Sequence, residues 1–172
     1  SHEYLIEQLQ LNTFEVVENE TNMVCNLHFN HPVKELIWVN LPTAMWGKLS
    51  GTCNYPFNPM IPSTVDDKSE CLLKLNGHDR FEKRSMFHFT RTQPYQYHTS
   101  FGLDRNQTAP NSYTDDNSIT DTIGVYSFCL KPEEHQPSGT CNFSRIDTVQ
   151  LIITGDISQD GSQTLQVYAI NY

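Results

Sequence analysis

The chain has 172 residues and a formal net charge of −9, from 20 acidic and 11 basic residues. That length suits one domain with a buried core, and no apolar run approaches the roughly 18 residues a membrane-spanning helix requires. The densest basic stretch, Arg80, Lys83 and Arg84, is diluted by Asp79 and Glu82, so no stripe able to neutralise several phosphates is present and direct nucleic-acid contact is not expected.

In chain order, Glu3 to Gln10 is the one stretch with helical character: Leu5, Ile6 and Leu9 share a side, and Ser1 could cap it. Phe14-Glu15-Val16 is a short strand candidate. Met23, Cys25, Leu27 and Phe29 then alternate with Val24, Asn26 and His28, the period of two that turns one face to a core and the other to solvent. Leu36-Ile37-Trp38-Val39 is apolar on both faces, as in a strand covered from both sides. Asn54 to Pro62 holds three prolines, which cannot donate to a ladder and predict a long loop.

Cys71, Leu73 and Leu75 alternate around Leu72 and Lys74 and run into Asn76-Gly77, a turn pair. Phe87-His88-Phe89 is another short strand candidate, and Asp104 to Asp121 a polar loop. Strand-like runs cover Val125 to Leu130 and Thr148 to Ile153. Ser158 to Ser162 places Asp160-Gly161 before Leu165, Val167 and Ala169, a hairpin signal. Eight or nine short strands with turns and two long loops describe an antiparallel β-sandwich or barrel. Periodicity does not choose among these.

Chemical signatures are sparse. Cys25, Cys53, Cys71, Cys129 and Cys141 contain no C-x-x-C pair, and three of them sit in apolar runs, so they read as small buried hydrophobes. The histidines are scattered, and His28 and His31 would face opposite sides of a strand, so no metal site is expected. The carboxylate pairs Asp115-Asp116 and Glu133-Glu134 cannot each converge on one substrate if extended. No nucleophile elbow or P-loop occurs. No catalytic residue and no cofactor is expected. Three sequons, at Asn19, Asn106 and Asn142, are candidate glycosylation positions.

Residues 131–147 read Lys-Pro-Glu-Glu-His-Gln-Pro-Ser-Gly-Thr-Cys-Asn-Phe-Ser-Arg-Ile-Asp, between two strand-like runs. This segment resembles the signature segment of the major capsid proteins of nucleocytoplasmic large DNA viruses. Residues 1–10 are similar to that family's join between two jelly rolls, and His31 to Trp38 and Leu75 to Phe81 to further family blocks in the same order. Leu165 to Tyr172 resembles the start of the family's last strand, without its Gly- and Met-containing tail.

The resemblance implies an all-β fold, an eight-stranded antiparallel jelly-roll sandwich. Residues 1–172 would form the C-terminal jelly roll of a double jelly-roll chain, and so be a fragment of a longer protein. It further implies a structural role without catalysis: three copies forming a pseudo-hexagonal capsomer, with neighbouring capsomers and minor capsid proteins as partners. The shell would be icosahedral, assembled in the host cytoplasm around an internal membrane that the chain does not span. Two similar sandwiches per chain, three times over, give six similar corners for a hexagonal lattice.

In the signature, Pro132 and Pro137 stiffen the connection and Ser138-Gly139 turns it. Glu133, Glu134, His135, Arg145 and Asp147 are the candidates for an intersubunit contact or, equally, for bracing the domain's end; Arg145 and Asp147 would open the next strand. The rival readings are a lectin-like carbohydrate-binding module with a groove at Trp46, Tyr55 or Tyr97, and a cupin-type enzyme, which the histidine spacing does not support.

Overall fold

The computed structural model describes residues 2–17, 20–42, 69–99, 122–155 and 163–172. Among these the chain forms β1 (Gln8–Val16), β2 (Asn22–Leu27), β3 (Pro32–Pro42), β4 (Glu70–Leu75), β5 (His78–Asp79), β6 (Arg84–Ser85), a π-helical turn (His88–Thr92) running into α1 (Gln93–Tyr97), β7 (Ile123–Ser127), β8 (Cys141–Asn142), a 3-10 turn (Phe143–Arg145), β9 (Val149–Thr154) and β10 (Gln163–Asn171). One antiparallel sheet has the order β1-β10-β3-β7, with β8 on the start of β3; the other has β2-β9-β4-β5, with β6 on β4. The long strands in sequence (β1, β2, β3, β4, β7, β9, β10) fall alternately in the two sheets. That alternation between two four-strand paths is the jelly roll.

It also corrects one expectation. Asp160-Gly161 lies outside the described residues, but the strands on either side are not a hairpin: β9 pairs with β2 and β4, while β10 pairs with β1 and β3. Alternation in both flanks satisfied the hairpin rule locally, yet each flank needed a partner in its own sheet. The Pro-rich stretch 54–62 and the loop 104–121 also lie outside the described residues.

Two further expectations change. Glu3 to Gln10 is not helical: residues 2–7 are irregular, and β1 begins at Gln8 and pairs with β10 from Gln8↔Asn171 to Val16↔Gln163. A helix this short is marginal alone, whereas a nine-residue ladder satisfies the same backbone groups cooperatively. Phe87-His88-Phe89 is helical, because the buried set is Met86, Phe89, Thr90 and Gln93, the i, i+3, i+4, i+7 spacing of a helix face. This helical segment guards the edge strand β7, since the buried Gln93 accepts the Ser127 backbone N–H at 3.1 Å.

The core lies between the sheets. Cys25, Leu27, Leu36, Trp38, Cys71, Leu73, Leu151, Leu165 and Val167 are all buried, bearing out the period-two readings and the buried character of Cys25, Cys71 and Cys129. Aromatic contacts run through it: Trp38 on Phe89 (ring centroids 5.5 Å), Phe89 on Phe81 (5.3 Å), Phe81 on Tyr126 (4.9 Å), Tyr126 on Phe128 (5.0 Å) and Phe128 on Phe143 (5.6 Å). Burial pushes the Cys25 thiol up to about 12, which keeps it an inert core residue.

Asn76-Gly77 forms the two-residue turn between β4 and β5 as expected, with φ of 52° and 78°. Only residues tolerant of left-handed backbone suit both central positions. Asn76 does more than turn: its Oδ1 accepts the amides of Asp147 (2.8 Å) and Thr148 (3.1 Å), tying the turn to the start of β9. Asn76→Ala should therefore cost about 1–3 kcal/mol, combining positive-φ strain with two lost acceptors. Chemical denaturation checks this; a cost within error of zero would show that the side chain does not hold β9.

Candidate functional site

The signature segment leaves β7 along the buried Cys129, whose amide donates to Ser127 Oγ at 3.3 Å. It then closes on itself: the Lys131 amide donates to Ser138 Oγ at 2.9 Å and the Leu130 amide to the Ser138 carbonyl at 3.4 Å. Pro132 is buried at the base, and Gly139, at φ 133°, supplies a backbone conformation that side chains rarely adopt. The result is a rigid loop, residues 131–140, with Glu133, Glu134 and His135 at its exposed tip.

Those three side chains diverge. Glu133 receives the Thr99 amide at 2.9 Å, the Thr99 hydroxyl at 2.7 Å and His98 Nδ1 at 3.3 Å. The Thr99 hydrogen bonds, followed by His98, hold the Glu133 carboxyl below the usual carboxylate range. Glu134 pairs with Lys131 at 2.9 Å, and its carbonyl accepts from Lys34 Nζ at 3.1 Å. His135 Nδ1 lies 3.7 Å from Glu7, and its carbonyl accepts the Tyr172 hydroxyl at 3.1 Å.

Beneath the loop, β3 presents two charged residues in succession, Lys34 and Glu35, each only 2% exposed. Lys34 pairs with Glu7 and lies 5.1 Å from the Tyr172 ring centroid. Burial disfavours its charged form, but the hydrogen bonds to Glu7 and Tyr172 outweigh that and keep Lys34 above the usual lysine range. Glu35 pairs with His98 Nε2 at 2.9 Å. Burial pushes the Glu35 carboxyl up, and His98 and Lys34 act against it.

The other sequence candidates lie apart. Arg145 is exposed in the 3-10 turn and pairs with no acid among the described residues; Asp147 contributes its amide to Asn76. Neither opens a strand, since β9 begins at Val149. Asn142 is exposed and its Oδ1 accepts the Ser144 amide at 3.1 Å, capping that turn. Asn19 and Asn106 lie outside the described residues, as do Cys53, Trp46 and Tyr55; Tyr97 is half-buried. No group of His, Cys, Asp or Glu among the described residues is arranged to hold a metal ion, and no described helix is long and apolar enough to cross a membrane.

Glu7, Lys34, Glu35, His98, Thr99 and Tyr172 are the residues that sequence reasoning missed. One signal was available: Lys34-Glu35 immediately precedes the doubly apolar run 36–39, and two charges entering a covered strand require partners.

The comparisons with known proteins agree with the geometry. The sequence model of the family described as large eukaryotic DNA virus major capsid protein matches residues 1–171. The chain is 41% identical to a major capsid protein of Pyramimonas orientalis virus, covering 100% of this chain and 40% of that protein. It is 35% identical to one of Paramecium bursaria Chlorella virus 1, covering 89% and 36%. A quasi-atomic model of the PBCV-1 virus capsid superimposes with a TM-score of 0.66 at 29% identity, over 99% of this chain and 48% of that one. The chain thus spans less than half the length of these relatives.

Proposed function

From the premise that this chain belongs to the large eukaryotic DNA virus major capsid protein family, we propose that it is the C-terminal jelly roll of a double jelly-roll capsid protein, a shell-building unit without catalysis. The observation that carries this reading is the full-length family match on a chain whose two sheets follow the jelly-roll order. The remaining length of its relatives, 60% of the Pyramimonas virus protein by difference from the 40% covered, leaves room for a second domain of similar size.

Under this reading three full-length chains assemble into a pseudo-hexagonal capsomer, and capsomers and minor capsid proteins complete the shell of the virion, assembled in the host cytoplasm. The mechanism is burial of complementary surface repeated over a lattice, in which individually weak contacts add up. The signature loop serves first to brace its own domain, since Glu133, Glu134 and His135 all reach groups of the same chain. Arg145 and Asp147, both exposed, are the candidates left for a neighbour.

The test is the solution molar mass of the full-length protein by light scattering after size exclusion. A stable trimer is the expected result. A monomer at high concentration would overturn the capsomer reading.

A further inference from the structure

His98 follows α1, and its ring stands between two carboxylates on different elements. Nε2 is 2.9 Å from Glu35 Oε2 on β3, and Nδ1 is 3.3 Å from Glu133 Oε1 on the loop. A neutral imidazole has one N–H and can donate to only one of these oxygens, whereas an imidazolium donates to both. The two carboxylates differ in setting: Glu35 is 2% exposed, and Glu133 stands at the surface. The next residue doubles the connection, because Thr99 gives both its amide and its hydroxyl to Glu133. The backbone of α1 fixes the ring's origin, since the His98 amide donates to the Pro94 carbonyl at 2.9 Å.

We propose that His98 is a proton-operated latch: protonated, it fastens the end of α1 to both β3 and the 131–140 loop, and on losing that proton to solvent it can donate to only one of the two carboxylates and loosens the loop, which the Thr99 hydrogen bonds then hold alone. The step is a single proton transfer and needs no other reactant. It stands on the geometry of this chain and does not depend on the capsid reading.

The surrounding charges leave His98 as the link between the two carboxylates. From β3, Lys34 adds a positive charge near Glu35, but it is already committed to Glu7 and to the Glu134 carbonyl. On the loop, Glu134 is paired with Lys131, and His135 faces Glu7. No cation other than His98 therefore bridges β3 to Glu133 among the described residues. Glu35, raised by burial, favours folding when it or its partner carries a proton, and that contribution is lost as pH rises. Glu133, lowered by Thr99 and His98, contributes above the ordinary carboxylate range and loses its contribution on acidification. The contributions of Glu35 and Glu133 are present together at mildly acid pH, where the latch is closed, and it opens when His98 gives up its proton.

Hydrogen exchange followed by mass spectrometry on the full-length protein tests this. After correction for the intrinsic rate, amide exchange in peptides covering residues 93–99 and 131–137 should be about tenfold or more faster at about pH 8 than at about pH 5.5. His98→Gln should exchange fast at both values. Glu133→Ala, at an exposed position, should also lose the pH dependence. Equal protection of the wild-type peptides at the two pH values overturns the latch. So does a His98→Gln or Glu133→Ala protein that keeps the wild-type dependence.

Discussion

Replacing Gly124 by alanine should destabilise the protein by about 3 kcal/mol, at the upper end of what overpacking a core costs. Gly124 does not have a left-handed backbone; its requirement is space. A Cβ built there overlaps Cε2 and Nε1 of Trp38 and comes within 2.8 Å of Cζ2. Trp38 cannot retreat, because it is 0% exposed and packs on Phe89. Both residues sit in registered strands, with Trp38 of β3 directly opposite Gly124 of β7. Moving the backbone would disturb the ladder itself.

The conflicting atoms run along one edge of the indole, Nε1 and Cε2 in its five-membered ring and Cζ2 in its six-membered ring, so a shorter side chain in its place should relieve them. Trp38→Leu alone should cost about 2–4 kcal/mol for the volume lost. It also removes an indole N–H that is buried without a partner among the described residues, which tempers the loss. The double variant should cost less than the sum of the two single variants, with a coupling of at least about 1 kcal/mol. Guanidinium unfolding of the four proteins in the cycle measures this. Strict additivity would show that the glycine is needed for something other than the ring.

Much of this architecture is legible in the residues. The alternation at Met23 to Leu27, Cys71 to Leu75 and Leu165 to Ala169 correctly places strands and their core faces, because a half-buried strand writes its exposure directly into the sequence. Asn76-Gly77 is legible for the same reason: positive φ restricts the residue choice locally. What failed was non-local. Nothing between Val149 and Ala169 states that the two flanks of Asp160-Gly161 join different sheets. Leu5, Ile6 and Leu9 suggested a helix face, yet all three are exposed, and β10 decides the conformation from Gln8 onward.

The 131–147 segment shows the same limit at the level of a site. Its residue types indicated a polar, stiffened loop, and that much is present. Apart from Lys131, the partners of Glu133 and Glu134 lie 34 to 100 residues away in sequence, where no spacing rule reaches. The pairing becomes readable only from the other side, as the unexplained charges Lys34 and Glu35 entering an apolar strand.

Those charges give the second large effect. Glu7→Ala should cost about 2–3 kcal/mol. Removing one member of a fully buried ion pair costs about 3–5 kcal/mol, because the remaining charge is left without compensation. The figure is discounted here because the Glu7 side chain is 36% exposed and solvent already screens it. Among the described residues Lys34, at 2% exposed, would keep the Glu134 carbonyl and Tyr172 as partners. Glu7 is also the residue that ties the irregular segment 2–7 to the body of the domain, so the same variant should make that segment more susceptible to limited proteolysis. Lys34→Met separates the two consequences: a methionine fills the same space without a charge, and an apolar replacement of a buried ion is often close to neutral. Adding Lys34→Met to Glu7→Ala should therefore recover most of the stability while leaving the segment as sensitive to protease as in Glu7→Ala. Denaturation and proteolysis of the three variants read the two effects independently. If Glu7→Ala cost less than about 0.5 kcal/mol, the buried ammonium would be satisfied without Glu7 and the tether would be incidental.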